Sequence, residues 1–174
     1  NNSNNEVTWS SNDESMVTIS PLGKVTALKN GSVTITASSI KDPTKKDSLV
    51  LIINSNFTWY VKADATGTNS GDSWNNAFKN LEPILDLVQN GDQIWLASGT
   101  YSSNNPIILK SGIKIYGGFS GNETSLESRN NTKEVILTGV SNRVIMAENI
   151  SNVTIDSLTI KGGFTSIDGG GMYI

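Results

Sequence analysis

Between Asn90 and Phe119 the chain reads NGDQIWLASGTYSSNNPIILKSGIKIYGGF, and this stretch limits the fold more than any other. It holds three short apolar runs: Ile94-Trp95-Leu96-Ala97, Ile107-Ile108-Leu109 and Ile113-Lys114-Ile115-Tyr116. Turn formers bound each run: Asn90-Gly91-Asp92, Ser98-Gly99, Ser111-Gly112 and Gly117-Gly118. Short β-rich runs between glycine turns read as strands. The unit also recurs. Ile113-Lys-Ile-Tyr-Gly-Gly-Phe119 is echoed by Leu158-Thr-Ile-Lys-Gly-Gly-Phe164, with Ile94 to Thr100 as a looser earlier copy. Repeated strand-and-turn units suggest a solenoid, in which each coil buries its face by stacking on a neighbour.

One segment departs from this pattern. From Trp74 to Asn90 the apolar residues Ala77, Phe78, Leu81, Ile84, Leu85 and Val88 follow helical spacing. Asn80 is the expected N-cap, Pro83 falls in the first turn, and Gly91 closes the helix at C′. After the polar loop Ser120 to Glu134, strands are expected at Val135–Leu137, Val144–Met146, Val153–Ile155 and Leu158–Ile160. Phe164 to Gly171 reads as a turn, and Met172-Tyr173-Ile174 as the first half of a strand, so the solenoid reads as truncated.

The first third has a different texture. Asn1 to Asn5 is polar and expected to fray. Strands are expected near Val7–Trp9, Met16–Ile19, Lys24–Ala27, Ser32–Ala37 and Ser48–Ile53, separated by Asn12-Asp13, Pro21-Leu22-Gly23, Asn30-Gly31 and Asp42-Pro43. In Val33-Thr-Ile-Thr-Ala37 every second residue is apolar, so one face packs and one is wet. Closely spaced short strands point to a β-sandwich. Asn54-Ser55-Asn56 links this region to the next strand, Thr58 to Lys62, which divides the chain into residues 1–55 and 56–174.

Two resemblances follow from these residues. Val7-Thr-Trp-Ser-Ser-Asn-Asp-Glu-Ser15, Gly23-Lys-Val-Thr-Ala-Leu28 and Gly31 to Ala37 resemble group 2 bacterial immunoglobulin-like domains. Such domains carry further strands before the segment matching Val7, so the resemblance implies an incomplete module. Tyr60-Val-Lys-Ala, Ser70-Gly-Asp-Ser-Trp74-Asn-Asn-Ala-Phe78, Gly91 to Tyr101 and Ile115-Tyr-Gly-Gly-Phe119-Ser-Gly-Asn-Glu123-Thr resemble the start of a right-handed parallel β-helix domain of bacterial surface and secreted proteins. That resemblance implies that the helix caps the open end of the first coil. The expected fold is all-β: a partial immunoglobulin-like sandwich, then a capped, truncated right-handed parallel β-helix with one short capping α-helix.

Composition narrows the chemistry. Among 174 residues there is no Cys and no His, and the net charge is −3. Asn, Ser and Thr make up about a third of the chain, which suits turns and exposed strand faces. The mildly acidic balance gives no basic footprint for nucleic acid, and no run approaches the ~20 apolar residues of a membrane helix. Without His or Cys there is no Ser–His or Cys–His pair and no thiolate or imidazole metal site. The candidate acids are Asp64, Asp72, Asp92, Asp156 and Asp168, for which turn-stabilising roles are expected. The loop Asp64 to Asp72 offers oxygens to Ca²⁺ but lacks alternating acidic ligands, so no cofactor is expected.

Trp95 and Tyr116 follow inward Ile94 and Ile115, so both should point outward; with Tyr101 they form a candidate patch for stacking on sugar rings. The alternative is that they pack under a loop or against the neighbouring domain. Trp9 and Trp74 read as core. The resulting expectation is a non-catalytic piece of an extracellular or cell-surface bacterial protein. It would bind host or environmental glycans or surface proteins, with the first module as a stalk. The rival reading is the N-terminal part of a polysaccharide lyase or glycoside hydrolase whose active site lies on further coils.

Overall fold

The computed structural model describes residues 7–53, 56–130, 132–166 and 169–174. The expectations for Asn1 to Asn5, for the link at Asn54 and Ser55, and for Asp168 lie outside these residues. The chain folds as two compact units, Asn1–Ser55 and Asn56–Ile174. The described residues are nearly all β, with one short helix.

The first unit is antiparallel. β1 (Val7–Ser11), β4 (Gly31–Ser39) and β5 (Lys46–Ile53) form one sheet with β4 in the centre; β2 (Val17–Ile19) and β3 (Val25–Ala27) form a hairpin. Alternation in β4 works as the period-2 pattern requires: Val33 and Ile35 are buried while Thr34 and Thr36 are only partly so. Leu51 and Leu49 lie opposite them on β5, and Ala37 lies opposite Trp9 on β1. This face is only partly covered. An open groove of about 580 Å³ runs past Trp9, Val25, Ile35, Leu49 and Leu51. Trp9 is therefore not the core residue its position suggested but is 38% exposed. It sits on an edge strand and lies flat over Gly23, where a Cβ would come within 2.7 Å of the indole. The positive φ of Gly23 and that close approach both require glycine.

The second unit is parallel. Its strands are β6 (Thr58–Val61), β7 (Gln93–Ala97), β8 (Gly99–Ser103), β9 (Ile107–Ile108), β10 (Lys114–Phe119), β11 (Val135–Gly139), β12 (Ile145–Met146), β13 (Thr154–Asp156), β14 (Thr159–Lys161) and β15 (Met172–Tyr173). They fall into three parallel sheets, in the orders β6-β7-β10-β13, β8-β11-β14 and β9-β12-β15. From β7 onward the chain visits the three sheets in rotation. Register lines up inward residues in columns: Trp59–Ile94–Ile115–Ile155, Tyr101–Leu137–Ile160 and Ile107–Ile145–Met172. These columns meet in one core, where Ile94, Ile115, Leu137 and Ile145 are fully buried. Each such side chain contributes about 1.5–3 kcal/mol by leaving water.

The turn before β7, β10 and β13 also repeats. Gly91, Gly112 and Asn152 stand there with φ of 94°, 77° and 57°. Backbone bonds tie successive turns together: Gly91 N–H donates to the Gly112 carbonyl at 3.0 Å, and Gly112 N–H to the Ser151 carbonyl at 2.9 Å. Glycine and asparagine tolerate this left-handed geometry best.

Three expectations need correction. First, Ile113–Phe119 and Leu158–Phe164 are not two copies of one structural unit. The segment stacked on Lys114–Tyr116 is Thr154–Asp156, while Thr159–Lys161 pairs with β11 in another sheet. The shared Gly-Gly-Phe misled because Gly117-Gly118 does not end a strand. It makes a bulge inside β10, where Tyr116 pairs with Trp95 but Phe119 pairs with Ala97. Second, Gly99–Ser103 is a strand rather than a turn and its sequel. Third, the helix is shorter and differently capped. It spans Glu82–Leu87, and its N-cap position is Leu81 rather than Asn80, with no side-chain cap bond. Val88 is extended, so Gly91 lies beyond the helix and serves the turn before β7. The helix does bury Leu81, Ile84 and Val88 in the shared core, while Leu85 is only partly buried.

The free edge of β6 is covered by a second segment. Tyr60 N–H donates to the Gly71 carbonyl at 3.0 Å, Phe78 N–H to the Tyr60 carbonyl at 2.9 Å, and Lys62 N–H to the Phe78 carbonyl at 2.8 Å. An exposed strand edge would otherwise invite pairing with another chain.

Candidate functional site

Side chains that alternate with the core columns point away from it. On the first parallel sheet one outward column runs Tyr60–Trp95–Tyr116–Asp156, one residue per strand. Trp95 stacks on Phe119 with ring centroids 4.6 Å apart and meets Tyr60 edge-on at 5.7 Å. Trp74 reaches over Tyr60 and Phe119, at 4.8 and 5.4 Å. Its indole N–H donates to the Glu123 carbonyl at 2.8 Å. Burial holds the Tyr60 phenol above its ordinary pKa.

Beyond Trp95 the column is closed by one cation. The Arg129 guanidinium lies 5.3 Å from the centre of the Tyr116 ring, donates to the Gly117 carbonyl at 3.2 Å, and pairs with Asp156. The Arg129 hydrogen bond, then that from Ser157, holds the Asp156 carboxyl below the usual carboxylate range. Glu123 turns its carboxylate onto its own loop and accepts from the N–H groups of Ser120, Gly121 and Asn122. Partial burial opposes its charge, but these backbone donors prevail and its pKa is lowered.

The three aromatics expected to share a patch are thus placed differently. Trp95 points outward from the sheet but is covered, with 6% of its surface exposed. Tyr101 points inward, and its hydroxyl donates to the Ala97 carbonyl at 2.8 Å. Its 4% exposure reflects a place in the core column of the second sheet, and burial raises its pKa. Tyr116 is half-buried under Arg129.

The candidate acids among the described residues, Asp64, Asp72, Asp92 and Asp156, are each engaged. Asp92 is the most telling. It stands in the column otherwise filled by Ile113 and Val153, is 1% exposed, and accepts from Phe57 N–H at 2.9 Å, Trp59 indole N–H at 3.0 Å and Gln89 N–H at 2.9 Å. It joins β6 to the turn before β7. Asp72 accepts from Ser73 and Asn76, and Asp64 lies 3.6 Å from Lys62 at the surface. Among the described residues no three His, Cys, Asp or Glu side chains gather as a metal site. No described helix is long and apolar enough to cross a membrane.

An open column lies elsewhere. On the third sheet Ile108, Met146 and Tyr173 line up in register, with Ile108 58% and Tyr173 37% exposed. Arg143 sits 4.7 Å over the Tyr173 ring. Beside it an open groove of about 270 Å³ is lined by Pro106, Asn142, Arg143, Phe164 and Ser166, with Phe164 70% exposed. Sequence reasoning missed Tyr173 and Phe164 because their neighbours gave no period long enough to assign a face.

Comparison with known proteins gives one match. Residues 1–51 match the bacterial Ig-like domain (group 2) family, a domain type typical of bacterial surface proteins. No curated protein and no solved structure matches the chain.

Proposed function

We propose that this is a non-catalytic, cell-surface or secreted bacterial protein that binds glycans or surface proteins of a host or of its environment. In this reading the first unit is an immunoglobulin-like stalk module. The second is a capped right-handed parallel β-helix whose flat faces carry the binding surface. The observation that supports it best is the open, in-register column Ile108–Met146–Tyr173, flanked by Phe164 and Arg143. Aromatic rings and a guanidinium on a flat, regular face suit stacking and hydrogen bonding to a sugar chain or to an extended peptide. The half-covered Tyr116, on the first sheet, is a second, protected part of that surface.

The test is a binding panel of polysaccharides and matrix proteins on a biosensor, with mass analysis for released products. A specific binder, weakened roughly two- to tenfold by Tyr173→Ala or Phe164→Ala and left uncleaved, is expected. Cleavage abolished by an Asp→Asn change would overturn the non-catalytic reading. Failure of every ligand to respond to these substitutions would remove the binding face.

A further inference from the structure

Between β10 and β11 the chain leaves the sheets, and Ser120 to Asn130 has neither strand nor helix. Most connections between elements in a compact domain are shorter than this. This one folds back across the outer face of the first sheet. Gly121 comes close to Lys62 and Ala97, and the Glu123 carbonyl receives the Trp74 indole N–H.

Most of its hydrogen bonds are internal. The Glu123 carboxylate holds Ser120, Gly121 and Asn122; Ser128 and Arg129 turn back onto Ser125 and Leu126. Among the described residues, and apart from the local bonds that Asn130 accepts from Thr132 and Lys133, its hydrogen bonds to the rest of the unit are two anchors. One is Trp74 to the Glu123 carbonyl. The other is Arg129, which reaches the Gly117 carbonyl on β10 and Asp156 on β13 while lying over the Tyr116 ring.

We propose that Ser120–Asn130 is a latched strap: Arg129 is its latch, and releasing it bares the Tyr116 ring while the sheets stay intact. The strap has its own turns, so it can detach as a body. Its hold on β10 and β13 is concentrated in one side chain, Arg129. The contrast with the rest of the face is sharp, because Trp95 is locked by Phe119 and Tyr60, which belong to the sheet itself. Local openings of this kind draw on regions with few core contacts. If the face binds glycan, as the proposed function holds, the strap regulates access to Tyr116, and this deepening rests on that reading.

The test is amide and indole hydrogen exchange by NMR on the whole chain, comparing wild type with Arg129→Gln and Asp156→Asn. Both variants should speed exchange of the strap amides and of the Trp74 indole N–H at least tenfold. Amides of Gln93–Ala97 and Lys114–Tyr116 should keep wild-type rates. Unchanged strap exchange would overturn the latch. Equal acceleration in strap and sheets would also overturn it, since Arg129 would then be a staple of the whole stack. Adding the best ligand from the binding panel separates the two readings. Tighter binding by Arg129→Gln supports gated access; no change with the strap released keeps the latch and removes Tyr116 from the binding face.

Discussion

The two units use the same element and finish it differently. In the first, β5 carries Leu49, Val50 and Ile52 at 65%, 60% and 76% exposure. In the second, Ile94 and Leu96 of β7 and Ile115 and Phe119 of β10 are fully buried. The difference lies in what each strand leans on. The antiparallel sheet has three strands, and the other paired element among the described residues of the first unit is the short β2–β3 hairpin. Each strand of the parallel unit has a partner sheet on its inner side and a stacked neighbour along the column. A strand rich in Val, Ile and Leu buries its side chains only where both supports exist.

Substitutions can break or sharpen this contrast. Asp92→Ala should do most harm, because it strands three donors at once, the buried Trp59 indole among them. A loss of about 3–5 kcal/mol is expected from chemical denaturation of the second unit, and Asp92→Asn should lose less because it keeps one acceptor. Ile115→Ala should cost about 2–5 kcal/mol, since Ile115 is fully buried between Ile94 and Ile155. A loss below 1 kcal/mol would mean the column does not bear on stability. On the helix, Ile84→Ala should approach that figure, whereas half-buried Leu85→Ala should cost roughly half as much.

Acid should loosen the ion pair selectively. Asp156 has a folded pKa below its ordinary value of 3.8. The stability it contributes is therefore present above the unfolded pKa and is lost as pH falls through the folded one. Because the carboxylate side chain is 41% exposed, the effect should be only about 0.2–1 kcal/mol. Stability measured between pH 5 and pH 2 in wild type and in Asp156→Asn should differ in slope by that amount. The smallest change is expected at the surface of the first unit. Leu49→Ala should stay within about 0.5 kcal/mol. A larger loss would mean that the groove beside Leu49 is covered in solution.

Much of this was legible in the sequence because period-2 alternation and glycine turns are local signals. The strands at Ile94, Ile107, Val135 and Val153 and the helical run around Ile84 follow from them. Pairing was not legible. Gly-Gly-Phe occurs once as a bulge within β10 and once after β14, and no local rule separates these uses. Tyr101 was placed outside because Gly99 read as a turn; as a strand residue opposite Leu137 it points inward. Asp92 looked like an ordinary turn acid. Its burial depends on Trp59 and Phe57, more than 30 residues away, which bring the donors that make a buried carboxylate tolerable. The open face at Tyr173 was likewise set by stacking on Met146 rather than by its neighbours in sequence.

The central claim is that the second unit is one stack whose columns share their stability, while the first unit stands on its own small sheet. Native-state hydrogen exchange, followed amide by amide against denaturant, tests it directly. The prediction is that amides of β7, β10 and β11 converge on one high opening free energy, with those of β4 opening separately and at lower cost. Independent openings for β7 and β10, or a β4 that outlasts them, would contradict it.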